Sequence, residues 1–219
     1  MYIIKKKIRG FTFVETIVTI AIVSVVMLGT TMFFSRMWTM HHFVIKSGIA
    51  SFVASRAVED MINTMRKAQQ ADNGSFPIAF ADDHEFIFYA DYDDDNTVER
   101  IRYFLDGNIL KMGIIEPDNS TPSKYVISTE VVKDIAKNIT NTDTSGEAIF
   151  EYYDIDGEIY SYSDIEGKAL ATIAVPAEIR MVKVILYINP EPYFRSPNDV
   201  RIQSFVVVRN LTEFDEIPT

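Results

Sequence analysis

The chain has no cysteine among its 219 residues, so a disulfide framework, a thiolate metal site and a cysteine nucleophile are all excluded. It carries no phosphate-binding glycine loop, dinucleotide fingerprint, zinc-ligand spacing or nucleophile-elbow serine. A basic surplus is missing too: 21 Lys and Arg stand against 31 Asp and Glu, for a net charge of −10 and a pI near 4.8. Such a surface repels a phosphate backbone, and direct nucleic-acid binding is not expected. No long internal repeat or low-complexity segment is present, and no proline falls between Ser35 and Ala71. No residue is assigned a catalytic role, and the expectation is a protein that acts by position, not turnover.

What is there begins with an uneven charge distribution. Lys5, Lys6, Lys7 and Arg9 precede the first apolar run, and without them the rest of the chain stands at −14. Phe11 to Phe34 follows as 24 residues with one charge, Glu15. At helical rise it reaches ~36 Å, enough to cross a hydrocarbon core of ~30 Å. Basic residues ahead of the span put residues 1–10 in the cytoplasm and the remainder outside, as a single-pass membrane protein.

A secretory signal places its cleavage site after the apolar run, beside small residues, whereas Gly10 here stands before it. The segment Lys5-Lys6-Lys7-Ile8-Arg9-Gly10-Phe11-Thr12-Phe13-Val14-Glu15 resembles the class III signal of type IV prepilins and pseudopilins. That resemblance implies cleavage between Gly10 and Phe11 by a prepilin peptidase, N-methylation of Phe11, and retention of the apolar helix in the product. It also implies other major and minor pilins as partners, an inner-membrane assembly platform, and extraction of the chain from the membrane into a filament. Glu15 matches the family's assembly glutamate. A carboxylate in an apolar span costs roughly 2.5 to 3.5 kcal/mol at mid-helix and less near an end. The Phe11 amine of a neighbouring subunit is the partner expected for it. The plainer reading is a first-turn acid stabilised by the helix dipole. The hydroxyls of Thr12, Thr16, Thr19, Ser24, Thr30 and Thr31 serve either helix packing or bonds to their own helix.

Beyond the span, helix formers extend the same helix from Phe11 to Ala71, with a four-spaced stripe of Ile45, Ile49, Val53, Ala57, Met61 and Met65. Asp72-Asn73-Gly74-Ser75 and Pro77 end it. The period then changes. Phe86–Tyr89, Arg100–Leu105 and Ile109–Met112 read as strands of an antiparallel meander, joined by Asp93–Asn96 and Asp106-Gly107-Asn108. A helix-like or irregular stretch is expected near 130–140. Strands at 148–153 and 158–162 about Asp156-Gly157 follow, and a closing pair at 179–188 and 200–210 is joined through Pro190, Pro192 and Pro197. The expected organisation is a leader (1–10), a transmembrane half-helix (11–34), an extramembrane half-helix (35–71) and an antiparallel β-rich head (72–219), an α+β, pilin-like fold. The 89–110 hairpin and the ending Phe205–Leu211 look like those of J-type minor pseudopilins of type II secretion and W-type minor pilins. The implied function is a minor subunit at the tip or in initiation of a secretion pseudopilus or pilus-like filament. Alternatives are a competence-type pseudopilin for DNA uptake, or a signal-anchored binding protein or hydrolase.

No cofactor is required by this reading. Asp91, Asp93, Asp95 and Glu99 offer oxygen ligands at alternating positions that suit calcium, although Asn96 and Arg102 stand where an EF-hand loop needs Gly and Glu. The competing reading is a solvated acidic hairpin tip. His41 and His42 are adjacent on a helix and so point apart, which suits headgroup contacts better than a shared metal.

Overall fold

The computed structural model describes residues 10–141, 147–154, 159–160, 176–190 and 199–208. One helix, α1, runs from Phe13 to Arg66 without a proline to interrupt it. The chain divides within it into two compact units, 1–45 and 46–219. In the first, every described residue through His42 is exposed. An 18-residue window of this helix has mean hydropathy 2.3 with none of it buried, which makes it the helix long and apolar enough to cross a membrane.

In the second unit the helix buries Ala50, Ala54, Ala57, Val58, Met61, Ile62 and Met65. This spacing follows the 3.6-residue turn, with small residues on the lower part of the face that let the sheets approach closely. The expected four-spaced stripe therefore holds only in its upper half. Ile45, Ile49 and Val53 remain 49%, 60% and 37% exposed, because four residues overshoot a turn and the stripe has rotated off the packed face.

The helix also stops short of Ala71. The N–H groups of Lys67 and Ala68 donate to carbonyls three residues back, at 3.1 Å each, tightening the last turn. Ala68 then bridges Ala90, and the Gln69 N–H donates to the Tyr89 carbonyl at 2.9 Å, so strand pairing takes over.

Two antiparallel sheets follow. The first has β1 (Ile78–Ala81), β2 (Glu85–Ala90), β3 (Glu99–Asp106), β4 (Ile109–Ile115) and β5 (Val131–Lys137) in simple sequence order. The second orders β7 (Ile159–Tyr160), β6 (Phe150–Tyr153), β8 (Met181–Ile188) and β9 (Val200–Val207). The meander appears as expected in β2 to β4. β1 is an addition, and the 130–140 stretch is a strand, not helix-like. β5 hides its nature because it is a sheet edge in which only Ala136 is buried, with a register shift opposite Leu110 and Lys111 that breaks its alternation. The Asp156-Gly157 turn, Pro192, Pro197, Asn210 and Leu211 lie outside the described residues.

Aromatic rings tie the sheets into one core. Phe86 lies 5.1 Å from Phe88 in its own strand, and 5.7 Å and 5.6 Å from Phe150 and Tyr152 of β6. The buried Tyr152 hydroxyl donates to the Asp82 carbonyl at 2.7 Å, satisfying the polar end of the ring, and burial pushes its pKa far up. Asn141, wholly buried, donates to the carbonyls of Ala148 and Ile185 and accepts from the Tyr187 N–H. Two of these bonds fix the loop onto β8 and the third ties it to Ala148, at a point where an unmet polar group would be costly.

Candidate functional site

The Gly10-Phe11 junction lies just ahead of α1 and is exposed at both residues. Thr12 caps the helix. Its hydroxyl accepts from the Glu15 N–H at 3.3 Å, and the Glu15 carboxylate accepts from the Thr12 N–H at 3.4 Å, the reciprocal pair of a capping box. Thr12-x-x-Glu15 before an apolar run spells this box in the sequence, and it is the feature that sequence reasoning passed over. Within the isolated chain, Glu15 thus has a local partner, in addition to the favourable end of the helix dipole.

The serine and threonine hydroxyls of the apolar half resolve the same way. Thr16, Thr19, Ser24, Thr30 and Thr31 each donate to the carbonyl four residues back, at 2.7–3.1 Å. Their donors are satisfied inside the helix, and its outer surface is left to apolar groups: Phe13 is 80% exposed, Val25 70% and Met32 69%. A carboxylate at one end is the single charge on this surface. His41 and His42 stay exposed, and the His42 ring sits 5.3 Å from Trp38.

The second candidate, the acidic loop between β2 and β3, is built by its own hydrogen bonds. Both Asp91 oxygens accept backbone N–H groups, from Asp95 at 3.2 Å and Asn96 at 3.1 Å. Asp94 and Asn96 take positive φ to close the turn, and the Lys67 ammonium holds Asp94 at 2.8 Å. Glu99, 1% exposed, accepts from the Tyr92 N–H at 2.7 Å, and its other carboxylate oxygen lies 3.0 Å from the Thr97 hydroxyl oxygen, whose proton goes to Asp95. Three of the four sequence candidates come together: Asp91, Asp93 and Glu99 offer oxygens all within 4.8 Å of one another. Asp95 does not join them. Its carboxylate turns to the Thr97 hydroxyl and N–H, and these bonds hold its pKa below the usual range.

Glu116 completes the cluster and was missed from the sequence. Burial, then the charges of Glu99, Asp93 and Asp95 with a hydrogen bond to Glu99, push its carboxyl up. The hairpin register could have found it. Gly107-Asn108 closes β3 on β4 with Asp106 opposite Ile109 and Arg100 opposite Ile115, so the next pair outward is Glu99 with Glu116. As donors, these oxygens match a hard cation, but most are already engaged with N–H and hydroxyl groups of their own loop.

An apolar, self-satisfied N-terminal helix with a capped acid at its start, long enough to anchor a protein in a membrane, continues into a helix-on-sheet head. The family model of the prokaryotic N-terminal methylation motif matches residues 5–31. The chain carries this motif ahead of a long helix and antiparallel sheets, consistent with a type IV pilin-like protein. The motif implies processing by a prepilin peptidase and assembly with other pilins. Among curated proteins, none matches the chain.

Proposed function

We propose that the protein is a non-enzymatic minor subunit of a type II secretion pseudopilus or type IV pilus-like filament, placed at the tip or in initiation of assembly. The observation that carries this reading is the anchor half of α1, which leaves every apolar side chain exposed and one acid at its start. Cleavage after Gly10 frees a cationic amine at Phe11, and in a bundle of such helices this amine pairs with Glu15 of a neighbour. The head stays outside the inner membrane until the subunit is drawn into the filament by the assembly platform. A minor position is supported by the β2–β3–β4 hairpin, which resembles that of J-type pseudopilins and W-type minor pilins. No cofactor enters the reading, and the Asp91–Glu99 loop serves as a hydrogen-bonded tip.

Mass spectrometry of the membrane-extracted protein tests the processing: a chain starting at methylated Phe11 is expected, and an intact Met1 start refutes the reading. Glu15→Leu is expected to insert normally and to lose co-purification with partner subunits at least about tenfold, the effect of removing a charge-assisted pair. Unchanged co-purification would remove the carboxylate from assembly.

A further inference from the structure

The outward side of α1 stays apolar well past the length a membrane needs. Phe34, Trp38, Ile45 and Phe52 are 63%, 71%, 49% and 67% exposed, and His41 and Gly48, which stand between them, are exposed as well. Successive members alternate between four and three residues apart, the spacing that keeps one seam of a helix turned toward a partner helix. At roughly 100° per residue, Gly48 and Phe52 lie on the far side of the helix from Ala50, Ala54, Ala57 and Met61, so this seam faces away from the chain's own sheets.

Lipid covers only its lower end. Phe52 is 18 residues past Phe34, roughly 27 Å of helical rise, whereas the headgroup layer adds only about 5–8 Å beyond the hydrocarbon. The seam also has a definite stop. The next positions on its spacing are Ser55 and Glu59, and Arg56 beside them reaches Asp60 at 4.0 Å. Between Phe34 and Ser55 the only Lys, Arg, Asp or Glu residues are Arg36 and Lys46, and neither is on the seam.

The same alternation continues downward through Thr31 and Met27 into the apolar span. A partner that lies on the seam from Phe34 upward is therefore itself leaving the membrane at that point, as a helix parallel to α1. A second copy of this chain fits poorly. In a parallel pair of identical helices like layers meet, so Trp38 faces Trp38 and Gly48 faces Gly48, which overfills one layer and leaves the other empty. A different chain can set a small residue against Trp38 and a large one against Gly48, where an added Cβ meets nothing within 4 Å. Three aromatic rings about two-thirds exposed present on the order of 400 Å². Ile45, with Ile49 and Val44 flanking it, brings the strip toward the ~800 Å² per partner of a stable complex.

We infer that the seam from Phe34 to Phe52 docks one parallel helix of a different membrane-anchored subunit. This rests on the filament reading and deepens it, because it names the segment by which the subunit selects a neighbour unlike itself, over and above the charge at Glu15.

The test places benzoylphenylalanine singly at Trp38, Ile45, Phe52, Lys46 and Glu59 of the full-length chain in its native membrane. After irradiation the adducts are identified by mass spectrometry. Adducts at Trp38, Ile45 and Phe52 are expected several-fold above those at Lys46, exposed off the seam, and Glu59, beyond its end. Each should carry a peptide from the N-terminal helix of one other chain that itself begins with a methylated residue. Gly48→Leu is expected to leave Phe11 methylation and the melting temperature in detergent unchanged, while cutting the Phe52 adduct at least about fivefold by overfilling the layer. Equal adducts at every position, or an adduct that survives Gly48→Leu, overturn the inference. So do adducts to a second copy, to a head segment, or to a chain without a methylated start. Methylated Phe11 without adducts sinks the docking alone, whereas an unprocessed chain without adducts sinks the filament reading with it.

Discussion

The two halves of α1 answer one question, where apolar side chains go, in opposite ways. From Lys46 to Arg66 the helix meets its own sheets, with Ala54, Met61 and Met65 at 0% exposure. Before Ile45, large branched side chains such as Ile20, Ile22 and Val25 stand 60–70% exposed. The difference lies in residue size as much as in hydropathy. The head half carries alanines where backbones must approach, while the anchor half carries bulk outward and turns each hydroxyl inward. A helix built for a protein core is thus distinguishable from one built for a lipid or helical-bundle environment, even within one continuous element.

The comparison breaks most easily at the alanines. Ala54→Leu forces extra volume into a filled core and is expected to cost about 1–3 kcal/mol, read as a lowered melting temperature of the full-length protein in detergent. The matched change Ala21→Leu, in the anchor half, should leave that melting temperature unchanged. Equal losses at the two sites would erase the distinction between the halves.

A smaller effect is expected at the start of the anchor. Thr12→Val removes the cap and should cost about 1 kcal/mol of first-turn stability. Faster amide exchange at Glu15, with unchanged melting of the head, is the expected signature.

The smallest effect belongs to the head's acidic cluster. The Glu116 pKa is raised in the folded state, so its stabilising share is full below its unfolded value of 4.5 and is lost as pH rises through the folded value. At neutral pH the ionised side chain faces Glu99 and Asp93, and Glu116→Gln should stabilise the head there by a few tenths of a kcal/mol, limited by solvent screening. The gain should fade as pH drops toward 4. A gain that grows on acidification would contradict the cluster's electrostatics.

The apolar span and the β2–β4 meander were legible because each rests on a local signal: a long apolar run, or a turn with Gly107 at φ +63° between alternating strands. β5 and the division into two sheets were not legible. An edge strand with a register shift has no clean period, and which sheet a strand joins depends on contacts such as Phe86 with Phe150, remote in sequence. The helix end was misplaced because the Ala68–Ala90 bridge, not local propensity, stops it. At the candidate site, the N-terminal methylation motif was readable from the order of basic, glycine and apolar residues along the chain. The Glu99–Glu116 pair required the hairpin register, and the Asp95 departure required knowing that Thr97 competes for its carboxylate.

The capping box gives Glu15 an occupation before any second chain arrives. In the proposed filament, recruiting it to a neighbour's amine is therefore a swap of one hydrogen-bonded partner for another. On that reading the ion pair contributes to each addition only the difference between the two bonds, and burial of the exposed apolar surface of the helix supplies the rest.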